Sequence, residues 1–219
     1  MDSVGFISAA GVDTTSPLPP GFVGRADAPV LPPGWASIGA LTNVQVRNLQ
    51  AQIAYDLSSW DIGKIGSQHE LGRYQFSGRL LEDYGLLASD AYETYGNDCV
   101  NYRHCWTPIY INDASNPYAT YYYNVTSQDA FLTNQILQDH LCYQRLKDLH
   151  NQLLNIGAIT TSDSADVVGG MVYVAWTLGV GTTATNNKPA GTGAYAWRYF
   201  NQGTGINSFN SGRYAVLSL

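Results

Sequence analysis

Two groups of side chains in this 219-residue chain have the types and spacing for chemistry. The first is Cys99, Cys105 and Cys142, with His104 beside Cys105, which could bind a metal or form a disulfide. The spacing favours neither. An odd number of cysteines leaves no complete disulfide framework, although a Cys99–Cys105 bridge stays open, and the Cys99/Cys105 pair lacks a second ligand pair for zinc. Free buried thiols, no metal and no cofactor are expected. The second group lies in Ile53 to Phe76, IAYDLSSWDIGKIGSQHELGRYQF. It places the carboxylates of Asp56 and Glu70 close in sequence to Gly72, Tyr74 and Gln75. Glu82 and Asp83, a little further on, suit a solvated helix face.

Composition narrows the partners. A net charge of −6 and a pI near 4.9 leave no basic stripe for phosphate backbones, so nucleic acid is not an expected partner. The same balance disfavours anionic membrane surfaces. Only 13% of residues are charged, while 16 tyrosines, 22 glycines and many Asn, Gln, Ser and Thr make a polar, weakly charged surface suited to packing against neighbours. The longest apolar run, Val167 to Val180, is too short for a bilayer and contains glycines and Thr177, so it reads as a buried helix. The opening MDSVGFISAAG lacks a basic and an apolar region of the secretory kind, and synthesis without Sec export is expected. The Asn124-Val125-Thr126 sequon then carries no meaning.

The elements that must position these groups follow from periodicity and caps. Residues 1–36 hold Pro17, Pro19, Pro20, Pro29, Pro32 and Pro33, a composition that favours an extended course. Val4, Phe6, Leu18, Phe22, Val30, Leu31 and Trp35 make this Pro-rich arm apolar enough to lie along a partner, with a disordered leader as the alternative. Residues 37–219 read as one globular domain. A helix should open at the capping box Thr42-Asn43-Val44-Gln45, carry Val46, Leu49, Ile53 and Leu57, and stop before Gly63. A second should run from Gly78 to Leu87. Residues 96–123 read as a Tyr-rich irregular insertion, with Tyr121-Tyr122-Tyr123 as a short strand. Ser127-Gln128-Asp129 should open the longest helix, ending at Gly157 and spanning roughly 40 Å. After Thr160-Thr161-Ser162-Asp163, Val167 to Trp176 is apolar all round, and Gly169 and Gly170 would let another helix approach closely. A turn-rich loop over 179–193, a short helix from Ala194 to Phe200 and an irregular tail complete the reading. The fold class is mainly α.

Ile53 to Phe76 resembles the core motif of lysozyme-like, transglycosylase-type modules of phage tails and bacterial cell-wall enzymes. There a helix ends in Glu-Ser-Gly and a Gly-Lys/Arg-Tyr-Gln-Phe stretch follows, here Gly72-Arg73-Tyr74-Gln75-Phe76. Val167 to Leu178 resembles the buried helix that follows the substrate groove, and Asn210-Ser211-Gly212-Arg213-Tyr214 resembles the closing turn. The resemblance covers residues 41–87 and 127–216. It implies an α+β lysozyme-like domain with a long central helix and a cleft for peptidoglycan. The cleft would present a desolvated carboxylic acid to a glycosidic oxygen, with Gly72, Tyr74, Gln75 and Tyr214 contacting the glycan.

The sequence departs from that pattern at the acid. Counted back from Gly72, the family glutamate falls on Leu57, and Ser58-Ser59-Trp60-Asp61 replaces Ser-Gly-aromatic-acid. Leucine donates no proton. Asp56, one residue away and a methylene shorter, and Glu70, in the following loop, are the candidate substitutes. Two functions follow from the resemblance: a structural component of a phage tail or baseplate, in the virion, whose lysozyme-like domain has lost its acid and whose cleft is either vestigial or holds peptidoglycan, with the arm bound to other tail proteins; or an active tail-associated muramidase or lytic transglycosylase. A third possibility is an all-β carbohydrate-binding module using Trp106, Trp176 and Trp197, in a chain with 12% aromatics.

Overall fold

The structure, a computed structural model, describes residues 37–107, 125–180 and 203–217. The Pro-rich arm, Tyr121 to Tyr123, most of the 179–193 loop and the helix expected over Ala194 to Phe200 lie outside the described residues. Those described are mainly helical and contain isolated β-bridges but no strand, which is not the architecture of an all-β binding module. The helices are α1 (Asn43–Ser58), α2 (Gly78–Asp83), α3 (Ala91–Tyr95), α4 (Gln128–Leu132), α5 (Gln135–Asn155), α6 (Ala165–Leu178) and α7 (Gly203–Leu217), with 3₁₀ turns at Gly96–Asn101 and Arg103–Cys105. The chain divides into two compact units. Of the described residues, one unit takes those from Ile53 to Cys142, and the other those before Ile53 and after Cys142. Helices α1 and α5 each begin in one unit and end in the other.

The unit built from the chain's two ends rests on α6 and α7. Val168 to Ala175 are all buried. Against them α7 lays Phe209, Gly212 and Val216, spaced so that they share one face. The glycines set the approach: a Cβ on Gly170 would sit 2.4 Å from the Phe209 ring, one on Gly169 2.4 Å from the Val216 side chain, and one on Gly212 2.5 Å from the Gly169 carbonyl oxygen. At the ends, Arg213 Nε donates to Asp166 Oδ2 at 2.8 Å, and the Thr177 and Ser208 hydroxyls meet at 3.1 Å. Early α6 pairs with late α7 and late α6 with early α7, so the helices are antiparallel.

Helix α7 corrects two expectations. The tail is helical rather than irregular, and Asn210 to Tyr214 lie inside that helix rather than in a closing turn. Gly, Ser and Asn dominate its sequence and have weak intrinsic helix preference, so the periodicity was masked. Burial of Phe209, Ala215 and Val216 supplies what propensity does not.

At the N-terminal end of α1 the capping box forms. Thr42 N donates to Gln45 Oε1 at 2.9 Å, and Gln45 N to Thr42 Oγ1 at 3.3 Å. The Gln45 amide also donates to the Val216 carbonyl at 3.3 Å, capping the end of α7.

The middle unit has an aromatic core. Tyr74, Phe76, Phe131 and Trp106 form a continuous row with centroid separations of 5.7, 5.9 and 5.9 Å. Trp106 Nε1 donates to the Val100 carbonyl at 2.9 Å, and Leu87 bridges to Trp106. The opening of the expected insertion is thus two 3₁₀ turns whose Cys99, Val100, Cys105 and Trp106 are buried. All three cysteines are free and buried. Burial, with Cys105 and Glu82 nearby, pushes the Cys99 thiol up to about 11.

Two helices are shorter than their patterns suggest. Helix α2 stops at Asp83 because Gly85 turns left-handed at φ +73° and returns its N–H to the Glu82 carbonyl. The helix opened by Ser127, whose hydroxyl accepts from Ala130 N, ends at Leu132. Asn134 restarts it: its side-chain oxygen accepts from Leu137 N at 3.0 Å, so a second N-cap interrupts what reads as one helix. The longest helix is α5, with 21 residues, about 32 Å.

Replacing Gly212 by alanine forces a methyl into the α6–α7 contact. Urea unfolding should show a loss of about 1–3 kcal/mol for Gly212→Ala, against a change within about 0.5 kcal/mol for Asn207→Ala on the exposed face of the same helix.

Candidate functional site

All candidate residues but Tyr214 fall in the middle unit, on the end of α1 and the loop of residues 59–77. The loop is held by backbone pairs rather than by strands. Gly66 N donates to the Glu70 carbonyl at 2.8 Å, Gly72 N to the Lys64 carbonyl at 2.8 Å, and Leu71 and Phe76 exchange two hydrogen bonds of 2.8 and 2.9 Å. Its backbone is costly. Ser59, Trp60, His69 and Gln75 all have positive φ, at +55°, +76°, +62° and +52°. For residues with a Cβ this costs about 1–2 kcal/mol each and persists only where surroundings over-determine it.

Those surroundings are one turn of α5. Gln138 is fully buried, and its amide joins three segments. Its oxygen accepts from Arg73 N at 2.9 Å, and its nitrogen donates to the Ile62 carbonyl at 3.1 Å and to the Phe131 carbonyl at 3.0 Å. Gly72, at φ +74°, lies so close that a Cβ there would be 2.3 Å from the Gln138 oxygen. Next to it, Asp139 Oδ1 accepts from the Tyr74 hydroxyl at 2.6 Å and from Arg73 Nη2, with both Arg73 and Asp139 side chains fully buried. Burial, reinforced by the Asp139 charge, raises the Tyr74 pKa well above its ordinary value, so the phenol stays a donor. Burial works against the Arg73 cation, but the Asp139 carboxylate beside it, by charge and hydrogen bond, holds its pKa above the usual one.

The candidate residues are distributed as follows. Leu57, at the expected acid position, is half-buried in the last turn of α1, and Asp56 beside it is exposed. Ser59, at φ +55°, adopts the left-handed backbone that glycine adopts most easily. Glu70 is half-buried in the loop, and its Oε2 accepts from Gln68 N at 3.0 Å. The side chains of Glu70 and Gln75 converge over Gly66, where a Cβ would lie 2.3 Å from Glu70 Oε2 and 2.4 Å from Gln75 Oε1. Gln75 Nε2 donates to the Gly72 carbonyl at 2.7 Å. Three expected glycan contacts are differently placed. Gly72 is buried and faces the Gln138 amide of α5 rather than a cleft. Tyr74 is fully buried with its hydroxyl on Asp139, so it is a core residue rather than a wall, and Tyr214 is half-buried within α7 of the other unit.

Beside Glu70, His69 Nδ1 pairs with Asp98 Oδ1, both side chains about half exposed. Asn101 Nδ2 lies 3.4 Å from the same ring nitrogen, and Gln128 donates to Asn101 at 3.0 Å. Among the described residues no group of three His, Cys, Asp or Glu could hold a metal, and no helix is long and apolar enough to cross a membrane. Gln138, Asp139 and Gly66 were the residues that sequence reading missed. The first two sit in an ordinary helical stretch, and their polarity at positions that must face the core was the available signal. No protein-family model, curated protein or solved structure matches the chain.

Three outcomes test this arrangement. Asp139→Ala leaves the buried Arg73 cation without its carboxylate and should cost about 3–5 kcal/mol in urea unfolding. Ser59→Gly relieves a left-handed residue and should add about 0.5–1 kcal/mol. His140 is 2% exposed, and burial lowers its pKa from 6.5 to about 4. The unfolded chain therefore binds a proton more readily as pH falls below 6.5. Stability contributed by the neutral ring is present above that pH and is lost as pH falls toward 4, by about 2 kcal/mol at pH 5. Unfolding free energies from urea titrations at pH 7 and pH 5 should converge in His140→Leu by about that amount; an unchanged pH dependence would exclude this assignment.

Proposed function

We propose that this chain is a structural component of a phage tail or baseplate whose lysozyme-like domain holds peptidoglycan without cleaving it. The observation that carries the reading is the acid position. In the resemblance to lysozyme-like modules the end of the first helix supplies the proton donor, and here that position is Leu57, flanked by an exposed Asp56. A general acid for glycoside cleavage is a partly desolvated carboxyl aimed at the leaving oxygen, and Asp56 is exposed on the last helical turn. What supports keeping a glycan-facing role is the loop. The backbone is left-handed at Ser59 and at Gly72, and the loop is tied to α5 through Gln138 at considerable backbone cost. The Pro-rich arm of residues 1–36 docks on neighbouring tail proteins through its apolar side chains, and the site of action is the virion.

The alternative is an active tail muramidase with Glu70 as the acid, favoured by the half-buried Glu70 carboxyl beside Gln75. The readings separate in one experiment. Purified protein should sediment with peptidoglycan sacculi and release no soluble muropeptides, while Leu57→Glu should gain release. Release by the wild type that Glu70→Gln or Asp56→Asn abolishes would overturn the structural reading and name the acid.

A further inference from the structure

We infer that Glu70 and Gln75 form a paired hydrogen-bond acceptor for a donor group, hydroxyl or acetamido N–H, of an amino-sugar chain, and that Gly66 provides the room for the pair. The choice of an amino sugar rests on the peptidoglycan reading proposed above. The pairing itself rests on geometry. Gln75 Nε2 donates to the Gly72 carbonyl at 2.7 Å, which fixes the orientation of the amide and turns Oε1 the other way. That oxygen and Glu70 Oε2 crowd the same point, 2.4 and 2.3 Å from where a Gly66 Cβ would be.

Two acceptors aimed at one place repel each other unless a donor lies between them. Among the described residues, no protein group donates to Gln75 Oε1. Glu70 Oε2 takes the Gln68 N–H at 3.0 Å, and a carboxylate has capacity for further donors. Both side chains are half-buried, reachable from solvent yet partly shielded, where a charge-assisted hydrogen bond is stronger than a neutral one. Two oxygens are far short of the six to eight that a calcium ion takes. A hydroxyl or amide N–H needs only such a pair. Glu70 thereby acts as a binding residue rather than as an acid.

Gly66→Ala is the sharpest probe. Gly66 has no positive φ, and the atoms its Cβ would meet are the ends of two flexible side chains, so the methyl spreads the two oxygens without breaking the loop. Glu70→Ala, which removes one acceptor and adds nothing, is the second. The measurement is calorimetric titration of the full chain with chitotetraose, beside sedimentation with sacculi and urea unfolding of each variant. Wild type should bind both. Gly66→Ala and Glu70→Ala should bind chitotetraose at least about tenfold more weakly at a near-unchanged urea midpoint. Undiminished binding by both variants would overturn the acceptor pair while leaving the peptidoglycan reading intact, as would a wild type that sediments with sacculi but ignores chitotetraose. A wild type that binds neither would overturn both.

Discussion

The middle unit depends on one buried charge. Asp139 sits at zero exposure with an arginine and a tyrosine on the same oxygen, and removing an aspartate from water is tolerable only because Arg73 neutralises it and Tyr74 donates to it. Arg73 and Tyr74 are neighbours in the loop, so the requirement that Asp139 be satisfied also fixes where the loop must run. Gln138, one residue earlier on α5, ties the same loop through Arg73 N and the Ile62 carbonyl. Together the two side chains replace the strand pairing that a loop of isolated bridges lacks.

That clamp explains how the loop tolerates its backbone. Four residues with a Cβ adopt positive φ between Ser59 and Gln75, and each would relax in a free peptide. The cost is offset by burial of Trp60, Leu71, Tyr74 and Phe76 and by the ties to α5. The same ties set the backbone from which the half-buried Glu70 and Gln75 side chains meet over Gly66. In the other unit the constraint is steric instead: three glycines bring α6 and α7 together, and hydrogen-bonded pairs at both ends set their register.

Much of the helical framework was legible in sequence because it rests on local signals. Thr42 and Gln45 announce the start of α1, Ser77 and Ser127 open their helices through side-chain caps, and the unbroken apolar run after Asp166 reads as a buried helix with glycines on a contact face. The misreadings share a cause. Asn134 and Gly85 interrupt apolar patterns that continue past them, and α7 hides its periodicity in glycine, serine and asparagine, so local propensity and the folded outcome disagree.

The sequence by itself determined a mainly helical chain, the caps at Thr42 and Ser127, and the loop that carries Glu70, Gly72 and Gln75, because each is written in adjacent residues. Only the tertiary structure decided that Tyr74 is a core donor, that Gln138 and Asp139 hold the loop, and that Glu70 and Gln75 converge over Gly66. Those facts depend on groups up to 76 positions apart, whose pairing is set by the need to satisfy buried polar atoms rather than by any local pattern.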